Sequence, residues 1–79
     1  SIINKGKLPK GLKIHIDLEC NSTGIYELPK DLLVGNNLYI EDTFIEEIPE
    51  TIHVGGTIFI KNIYNLDRNK IPEKFKTYE

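Results

Sequence analysis

The chain has 79 residues, 28% of them charged and 39% hydrophobic, with a formal net charge of −2. This length fits one small domain, and a single cysteine, Cys20, excludes an intramolecular disulfide framework and the usual structural zinc site. Because no apolar run approaches the roughly 18 residues of a membrane span and residues 1–13 lack the apolar stretch of a secretion signal, we expect a cytoplasmic protein without membrane contact.

The composition favours strands over helices. The chain contains no Ala, Gln or Met, which are among the better helix formers. It is rich in Ile, and Gly and Pro occur at regular intervals. Since β-branched residues and regularly placed turn residues are typical of strands joined by turns, we predict a fold that is mostly β.

Four Leu-Pro or Ile-Pro pairs divide the chain into repeats. The prolines are Pro9, Pro29, Pro49 and Pro72, so the first two intervals are equal and the last is slightly longer. The interval from Pro9 to Pro29 is called the repeat length below. Self-similarity at a fixed spacing is typical of proteins in which each unit covers the apolar surface of its neighbour. We predict one repeat domain over residues 1–79, made of an N-terminal cap (1–7), three repeat units (8–27, 28–47 and 48–70) and a C-terminal cap (71–79).

Each unit contains an apolar, variable, apolar triplet. Counted from the Leu or Ile before proline, position 11 holds Leu18, Leu38 and Ile58, and position 13 holds Cys20, Ile40 and Ile60. Such alternation predicts a short, half-buried strand. If the units stack at strand spacing, roughly 4.8 Å, residues at the same position lie in a row of similar side chains, which we call a file. We expect the apolar files to form the core.

Turns and one irregularity follow from the same alignment. We expect Gly35, Gly55 and Gly56 to relax the backbone where the chain turns after position 7. The third unit is longer than the others, with its extra residues within 65–70, which predicts a bulging loop there, with Leu66 taking the apolar role one position late.

The pattern Leu-Pro-x-x-Leu-x-Val-x-x-x-Leu-x-Ile-x-x-Thr-x-Ile resembles the short leucine-rich repeats of bacterial effectors, and more closely the LP-x-x-L-x-V-G-G repeats of many phage and bacterial proteins. The resemblance covers about residues 8–76. It implies a small right-handed solenoid of three coils with a truncated C-terminal cap, in the cytoplasm of a bacterial or phage-infected cell. The family's Asn, which bonds the neighbouring coil's backbone, is here Thr23, Thr43 and Ile63, so the resemblance implies a shorter and partly broken hydroxyl ladder.

A second architecture fits the local sequence. The segments VGNNLYI and VGGTIFI each place Gly-Asn or Gly-Gly between apolar residues, which is typical of β-hairpin turns. Hairpins at both places would produce a meander or a small sandwich instead of a solenoid.

Residues suited to catalysis or metal binding are few. His15 and Cys20 are close in sequence, but Cys20 falls in the file of Ile40 and Ile60, which predicts a small buried residue. His15 and His53 fall at different positions of their units and do not predict a metal site. We expect no enzyme activity, no catalytic or metal-binding residues and no cofactor.

Positions 10, 12 and 14 alternate with the buried files and are expected to face solvent. Tyr39 and Phe59 would then stand side by side, and aromatic residues rimmed by charge are typical of interaction hot spots. Ordinary cross-strand stacking explains the same pair without a partner. The candidate partner-binding residues on this face are Glu19, Tyr39, Glu41, Phe59 and Lys61.

Acidic residues concentrate in the middle of the chain. Residues 14–50 are strongly acidic and contain Lys30 as their one base, whereas residues 1–13 carry four lysines and no acid. The acidic run adds Asp42, Glu46 and Glu47 to the candidate partner-binding residues. Such a run either meets a basic partner or keeps a small protein soluble. Nucleic acid is a disfavoured partner because the net charge is negative and no basic stripe with interleaved aromatics occurs.

Two functions fit these features. The first is a non-catalytic protein-binding module, such as a phage or bacterial inhibitor that docks its strand face or acidic edge on a larger macromolecule. The second is a self-assembling structural protein, a homo-oligomer that pairs through the open ends of the solenoid, because open ends expose unpaired strand edges.

Overall fold

The computed structural model describes residues 3–75 and 78–79, and this part of the chain is mostly β, as the composition predicts. The strands are β1 (Lys13–Ile14), β2 (Leu18–Glu19), β3 (Leu33–Val34), β4 (Leu38–Tyr39), β5 (His53–Val54) and β6 (Ile58–Phe59). A 3₁₀ helix spans Arg68–Lys70. Each repeat unit therefore contributes two short strands.

The strands form two parallel sheets, and each sheet takes one strand from every unit. The strand orders are β1-β3-β5 and β2-β4-β6. Neighbouring strands are offset by one repeat length, so that Lys13 pairs with Leu33 and Leu18 pairs with Leu38. The hairpin alternative is wrong, because β3 and β4 belong to different sheets and each pairs in parallel with strands of other units.

The predicted strand at position 11 is present in all three units, and its files are buried. Leu38 and Ile40 have no exposed surface, and Cys20 is 1% exposed. The strands β1, β3 and β5, at positions 6 and 7, were not predicted as strands. Positions 5 and 7 are apolar around a variable position 6, as positions 11 and 13 are around position 12, so the sequence carries the same signal for both strands of a unit and this one was missed.

Glycines 35 and 55 are required by close packing between units, not by the conformation of a turn. A Cβ atom on Gly35 would collide with the carbonyl oxygen of His15, and one on Gly55 would collide with the carbonyl oxygen of Gly35. Neither glycine has a positive φ. Gly56 also lacks a positive φ, and a Cβ atom on it would collide with the side-chain oxygen of Asn37. The expectation that the three glycines relax the backbone is therefore wrong, and their role is to let successive units approach.

The left-handed backbone conformation recurs elsewhere, at position 15 of each unit. Ser22, Asp42 and Asn62 have φ values of 56°, 57° and 61°. Asn and Asp tolerate this region better than most residues because their short side chains bond the local backbone. A tight turn therefore follows the second strand of every unit, and each repeat places a small polar residue there.

The threonine ladder implied by the resemblance does not join neighbouring units. The Thr23 hydroxyl donates to the carbonyl of Cys20, and the Thr43 hydroxyl donates to the carbonyl of Ile40, each over 2.7 Å. Both acceptors lie in the same unit as their donors. The hydroxyls therefore stabilise the turn within their own unit, a pattern common for Thr near turns.

The extra residues of the third unit form a short helix. Asp67 caps the 3₁₀ helix Arg68–Lys70 by accepting from the amide of Asn69, and the Arg68 guanidinium donates to the carbonyl of Ile60 over 3.0 Å. Leu66 is buried, as predicted from its shifted position. The insertion is thus ordered by its own hydrogen bonds and anchored to the residue that follows β6.

Two segments add pairing beyond the three units. Asn4 and Lys7 pair across a tight turn whose central residues both have positive φ, and Lys7 also pairs with Glu27 in parallel. At the opposite end, Tyr78 pairs in parallel with Ile58. Residues 1–2 of the predicted N-terminal cap and 76–77 of the predicted C-terminal cap lie outside the described residues.

Candidate functional site

The most ordered feature of the predicted strand face is an aromatic pair. Tyr39 ends β4 and Phe59 ends β6, and the parallel register places them directly opposite each other. Their rings stack with centroids 4.6 Å apart and planes inclined by 2°. Both side chains are half-buried, and thus less exposed than the alternation predicts. Each ring therefore covers one face of the other, and the pair presents a rigid aromatic stack whose ring edges are partly accessible.

Position 10 of the units stabilises the stack of units. An Asp17 carboxylate oxygen accepts from the backbone amide of Asn37 over 3.0 Å. One unit further, the amide oxygen of Asn37 accepts from the backbone amide of Thr57 over 2.9 Å. Because each side chain bonds the equivalent backbone N–H of the next unit, these residues form a polar ladder. Alternation in the sequence assigned them to solvent and did not reveal this structural role.

The residues at position 14 have two roles: one joins neighbouring units by a hydrogen bond, and the others carry charges. The Asn21 side chain accepts from the backbone amide of Glu41 over 2.8 Å, so it also joins two units. Asn21 lies in an Asn-Ser-Thr glycosylation sequence, and this hydrogen bond leaves its side chain half-buried. At the same position, the Lys61 side chain is exposed and the Glu41 side chain is half-buried.

Charges of both signs surround the aromatic pair without pairing among themselves. Within the described residues, the carboxylates of Glu19 and Glu41 and the ammonium group of Lys61 form no ion pair. The side-chain amide of Asn37 donates to the Tyr39 hydroxyl over 3.3 Å, and this hydrogen bond fixes the outer end of the ring. Three charges that form no ion pair among the described residues therefore flank the stacked rings along the chain.

The predicted acidic edge is not one surface. Asp42 sits in the left-handed turn after β4, and its carboxylate accepts from the hydroxyl of Ser22 over 3.3 Å. Glu46 and Glu47 instead line a groove of about 1240 Å³, and neither Glu41 nor Asp42 contributes to it. The acidic run therefore divides after the turn, with Glu46 and Glu47 lining the groove and Glu41 and Asp42 outside it.

The groove itself was not predicted from the sequence. Its apolar part comes from Leu8, Leu28 and Ile48, the residues before the prolines. Its charged part includes a row that recurs at the repeat length, Lys7, Glu27, Glu47 and Asp67. This spacing is visible in the sequence. These charged residues do not alternate with a buried file, however, so the sequence pattern did not indicate that they share a surface.

Other exposed aromatic residues lie away from the stacked pair. Phe44 is 59% exposed and Tyr64 is 89% exposed, and both occupy position 17 of successive units. Tyr26 packs against the N-terminal turn, with the ammonium group of Lys7 5.8 Å from the centre of its ring. These residues provide aromatic controls outside the strand face.

Cys20 has the environment of a core residue. Its side chain is 1% exposed, and burial, reinforced by the negative charge of Glu19, raises the pKa of the thiol above its ordinary value. A raised pKa reduces the thiolate fraction, and the thiolate is the nucleophilic form. Neither His15 nor Ser22 forms a hydrogen bond with this thiol in the part of the chain that the structure describes.

Metal-binding clusters and membrane-spanning helices are both absent from the described ranges. Across residues 3–75 and 78–79, no group of three or more His, Cys, Asp or Glu side chains comes together in a way that could hold a metal ion. No helix in those ranges has the length and apolar character needed to cross a bilayer. The strand face therefore remains the arrangement with the clearest chemical character, an aromatic surface flanked by charge.

Comparisons with protein-family models, with curated proteins and with solved structures gave no match to this chain.

Proposed function

We propose that the three repeat units form a small right-handed solenoid similar to leucine-rich repeats, and that this solenoid is a non-catalytic protein-binding module. The shared register supports this architecture, since both sheets relate each strand to the one that lies a repeat length later. Two parallel partners per unit require the chain to return to the same two edges once in every unit. Parallel strands need such a long return connection, and the remainder of each unit supplies it.

The stacked pair of Tyr39 and Phe59 is the observation that supports binding. Binding surfaces concentrate their energy in a few rigid aromatic anchors, which a less important polar rim shields from water. Here the rings are held parallel 4.6 Å apart, so binding need not immobilise them. The exposed charges of Glu19 and Lys61 provide the rim.

The chemistry of this face indicates the kind of partner. A protein surface with an apolar centre covers the accessible ring edges and displaces water from them. Charges on the partner that complement Glu19, Glu41 and Lys61 fix its orientation and accelerate encounter. The partner is therefore a folded protein with an apolar patch flanked by charges of both signs.

The test uses affinity capture from the native source, followed by titration calorimetry and stopped-flow kinetics with the captured partner. Phe59→Ala removes half of the aromatic surface and is expected to weaken binding by at least about tenfold, the range of a hot-spot residue. Lys61→Glu reverses a rim charge that forms no hydrogen bond or ion pair among the described residues, and is expected to change the association rate and its salt dependence.

Matched control variants distinguish binding through this face from non-specific binding by exposed aromatic residues. Tyr64→Ala and Phe44→Ala remove more exposed aromatic rings outside the face and should leave the dissociation constant unchanged. Thermal unfolding of every variant shows whether the fold is retained. Binding that survives both Phe59→Ala and Lys61→Glu but is lost with Tyr64→Ala would refute the assignment of the strand face.

A further inference from the structure

The sheet β2-β4-β6 is extended at one end by residues from the end of the described chain. Tyr78 pairs in parallel with Ile58, the same offset of one repeat length that relates the repeat units. The amide of Glu79 donates to the carbonyl of Ile58 over 2.9 Å, and the amide of Ile60 donates to the carbonyl of Glu79 over 2.6 Å. Since both backbone groups of Glu79 point toward β6, those of the preceding residue, Tyr78, point away from it.

The opposite edge of this sheet belongs to β2. Among the described residues, no segment pairs with its outer side. The amides of Leu18 and Cys20 donate toward the second unit, to the carbonyls of Asn37 and Tyr39. The backbone groups of Glu19, which lies between them, therefore point outward.

Apolar surface accompanies this edge. Ile16 lies just before β2 and is 73% exposed, the largest exposure of any aliphatic side chain in the described chain. Its equivalents in the other units are Asn36 and Gly56, so the first unit alone places a large apolar residue here. A segment that pairs with β2 would cover part of this side chain.

We propose that the chain binds a second copy of itself head to tail, with Tyr78 of one copy pairing in parallel with Leu18 of the next. The amide of Tyr78 donates to the carbonyl of Asp17, and the amide of Glu19 donates to the carbonyl of Tyr78. This arrangement repeats the bonding of Leu18, whose amide donates to the carbonyl of Asn37 over 2.9 Å.

We assign a second copy to this edge because its segment at Tyr78 supplies the parallel neighbour that β2 lacks on its outer side. All pairs within this sheet are parallel and offset by one repeat length, so the file of Leu18, Leu38, Ile58 and Tyr78 continues in the same direction into the next copy. The described N-terminal turn pairs elsewhere, since Lys7 pairs with Glu27 at the end of the unit. A head-to-tail contact of this kind does not close on itself, so it can add one copy after another to a linear assembly.

Charge limits this association. The pairing places Glu19 directly opposite Glu79 of the preceding copy, because Glu19 follows the paired Leu18 and Glu79 follows the paired Tyr78. Like charges directly opposite each other on neighbouring strands are destabilising. Screening by salt weakens this repulsion, so association is expected to increase with ionic strength.

Sedimentation velocity of the purified chain, over a range of protein and salt concentrations, tests the proposal. Glu19→Lys and Glu79→Lys each replace a repulsive pair by an attractive one and should lower the dissociation constant by about twofold to fivefold. The double variant, Glu19→Lys with Glu79→Lys, again places like charges opposite each other. It should therefore lose the gain of the single variants and associate about as weakly as the wild type.

A backbone substitution tests the pairing itself. Glu19→Pro removes an outward amide that forms no bond within one copy, so it should abolish association and leave the fold intact. Glu19→Ala is the matched control, since it retains the amide and should associate at least as well as the wild type. Tyr78→Pro removes the amide on the other side of the contact and gives the same test if Glu19→Pro does not fold.

The outcomes are distinct. Association that grows with salt, strengthens in both single lysine variants and disappears with either folded proline variant supports head-to-tail pairing. Monomers at every concentration for the wild type and both lysine variants overturn it, as does association that persists in the proline variants. Because purified protein alone is used, the result does not depend on capture of another protein.

Discussion

Replacing Gly55 by Ala is expected to destabilise the fold through a collision between units. A Cβ atom at residue 55 would overlap the carbonyl oxygen of Gly35 and lie 3.1 Å from its carbonyl carbon. The obstacle is backbone just after β3, held by the hydrogen bond that the Gly35 amide donates to the carbonyl of Ile14, so it cannot move aside as a flexible side chain would. Gly55 has no positive φ, so the substitution tests packing and not backbone strain.

The expected magnitude follows from overpacking. Inserting a methyl group into well-packed structure costs about 1–3 kcal/mol. For a domain of this size, about 1 kcal/mol corresponds to about 4–8 °C in melting temperature. Gly35→Ala should behave in the same way, because its Cβ atom would meet the carbonyl oxygen of His15. Thermal and urea unfolding followed by circular dichroism measure both variants.

Gly24→Ala is the matched control. A Cβ atom there meets nothing within 4 Å, and Gly24 also lacks a positive φ. Alanine at such a site restricts the unfolded chain and is expected to stabilise the fold by about 0.4–1 kcal/mol. Equal melting temperatures for Gly24→Ala and Gly55→Ala would contradict the argument that the backbones of successive units are in close contact.

Three further substitutions test hydrogen bonds and the buried thiol. Asp17→Ala removes the acceptor for the amide of Asn37 and should lower the free energy of unfolding by about 1 kcal/mol, measured by urea titration, whereas Asp17→Asn should retain most of it. Thr43→Val leaves the carbonyl of Ile40 without its buried donor, and a cost of about 1–3 kcal/mol is expected in the same assay. The raised pKa of Cys20 favours its neutral form in the folded state, so stability should fall as pH rises above the thiol's ordinary pKa, and Cys20→Ala should remove that dependence.

The repeat and its buried files could be predicted because they depend on side-chain identity. Leu18, Leu38 and Ile58 recur at the repeat length, and the structure pairs them in one sheet with the same offset. Side chains that are buried in one file must be similar in size and apolar character, so burial produces a repeated pattern in the sequence. The same reasoning located Leu66 after the insertion in the third unit.

Features that depend on backbone contacts were assigned wrongly or missed. A glycine needed for close approach looks the same in sequence as one needed for a turn, which is why the role of Gly35 was mistaken. The left-handed residues Ser22, Asp42 and Asn62 share only small size and polarity, so their common conformation is not evident from their identities. The short strands at positions 6 and 7 were missed although positions 5 and 7 carry the same apolar pattern as positions 11 and 13.

The candidate site was predicted in part for the same reason. Alternation with the buried files correctly placed Tyr39 opposite Phe59, since a parallel register fixes that contact. Alternation could not distinguish a side chain that faces solvent from one that reaches the next unit. Asp17 and Asn37 were therefore assigned to the solvent-facing side, although each accepts a backbone hydrogen bond across units.

This division of roles narrows the surface that a partner can use. The side chains at position 10 are held by backbone amides of the next unit, and at position 14 Asn21 is held in the same way. Among the described residues, position 12 has no such bond to the backbone, and it carries Glu19, Tyr39 and Phe59. Substitutions at position 12 can therefore change recognition with less effect on the stacking of units than substitutions at position 10. In the proposed binding mode, a stable polar ladder lies beside a file of side chains that make no hydrogen bond to the backbone of the next unit.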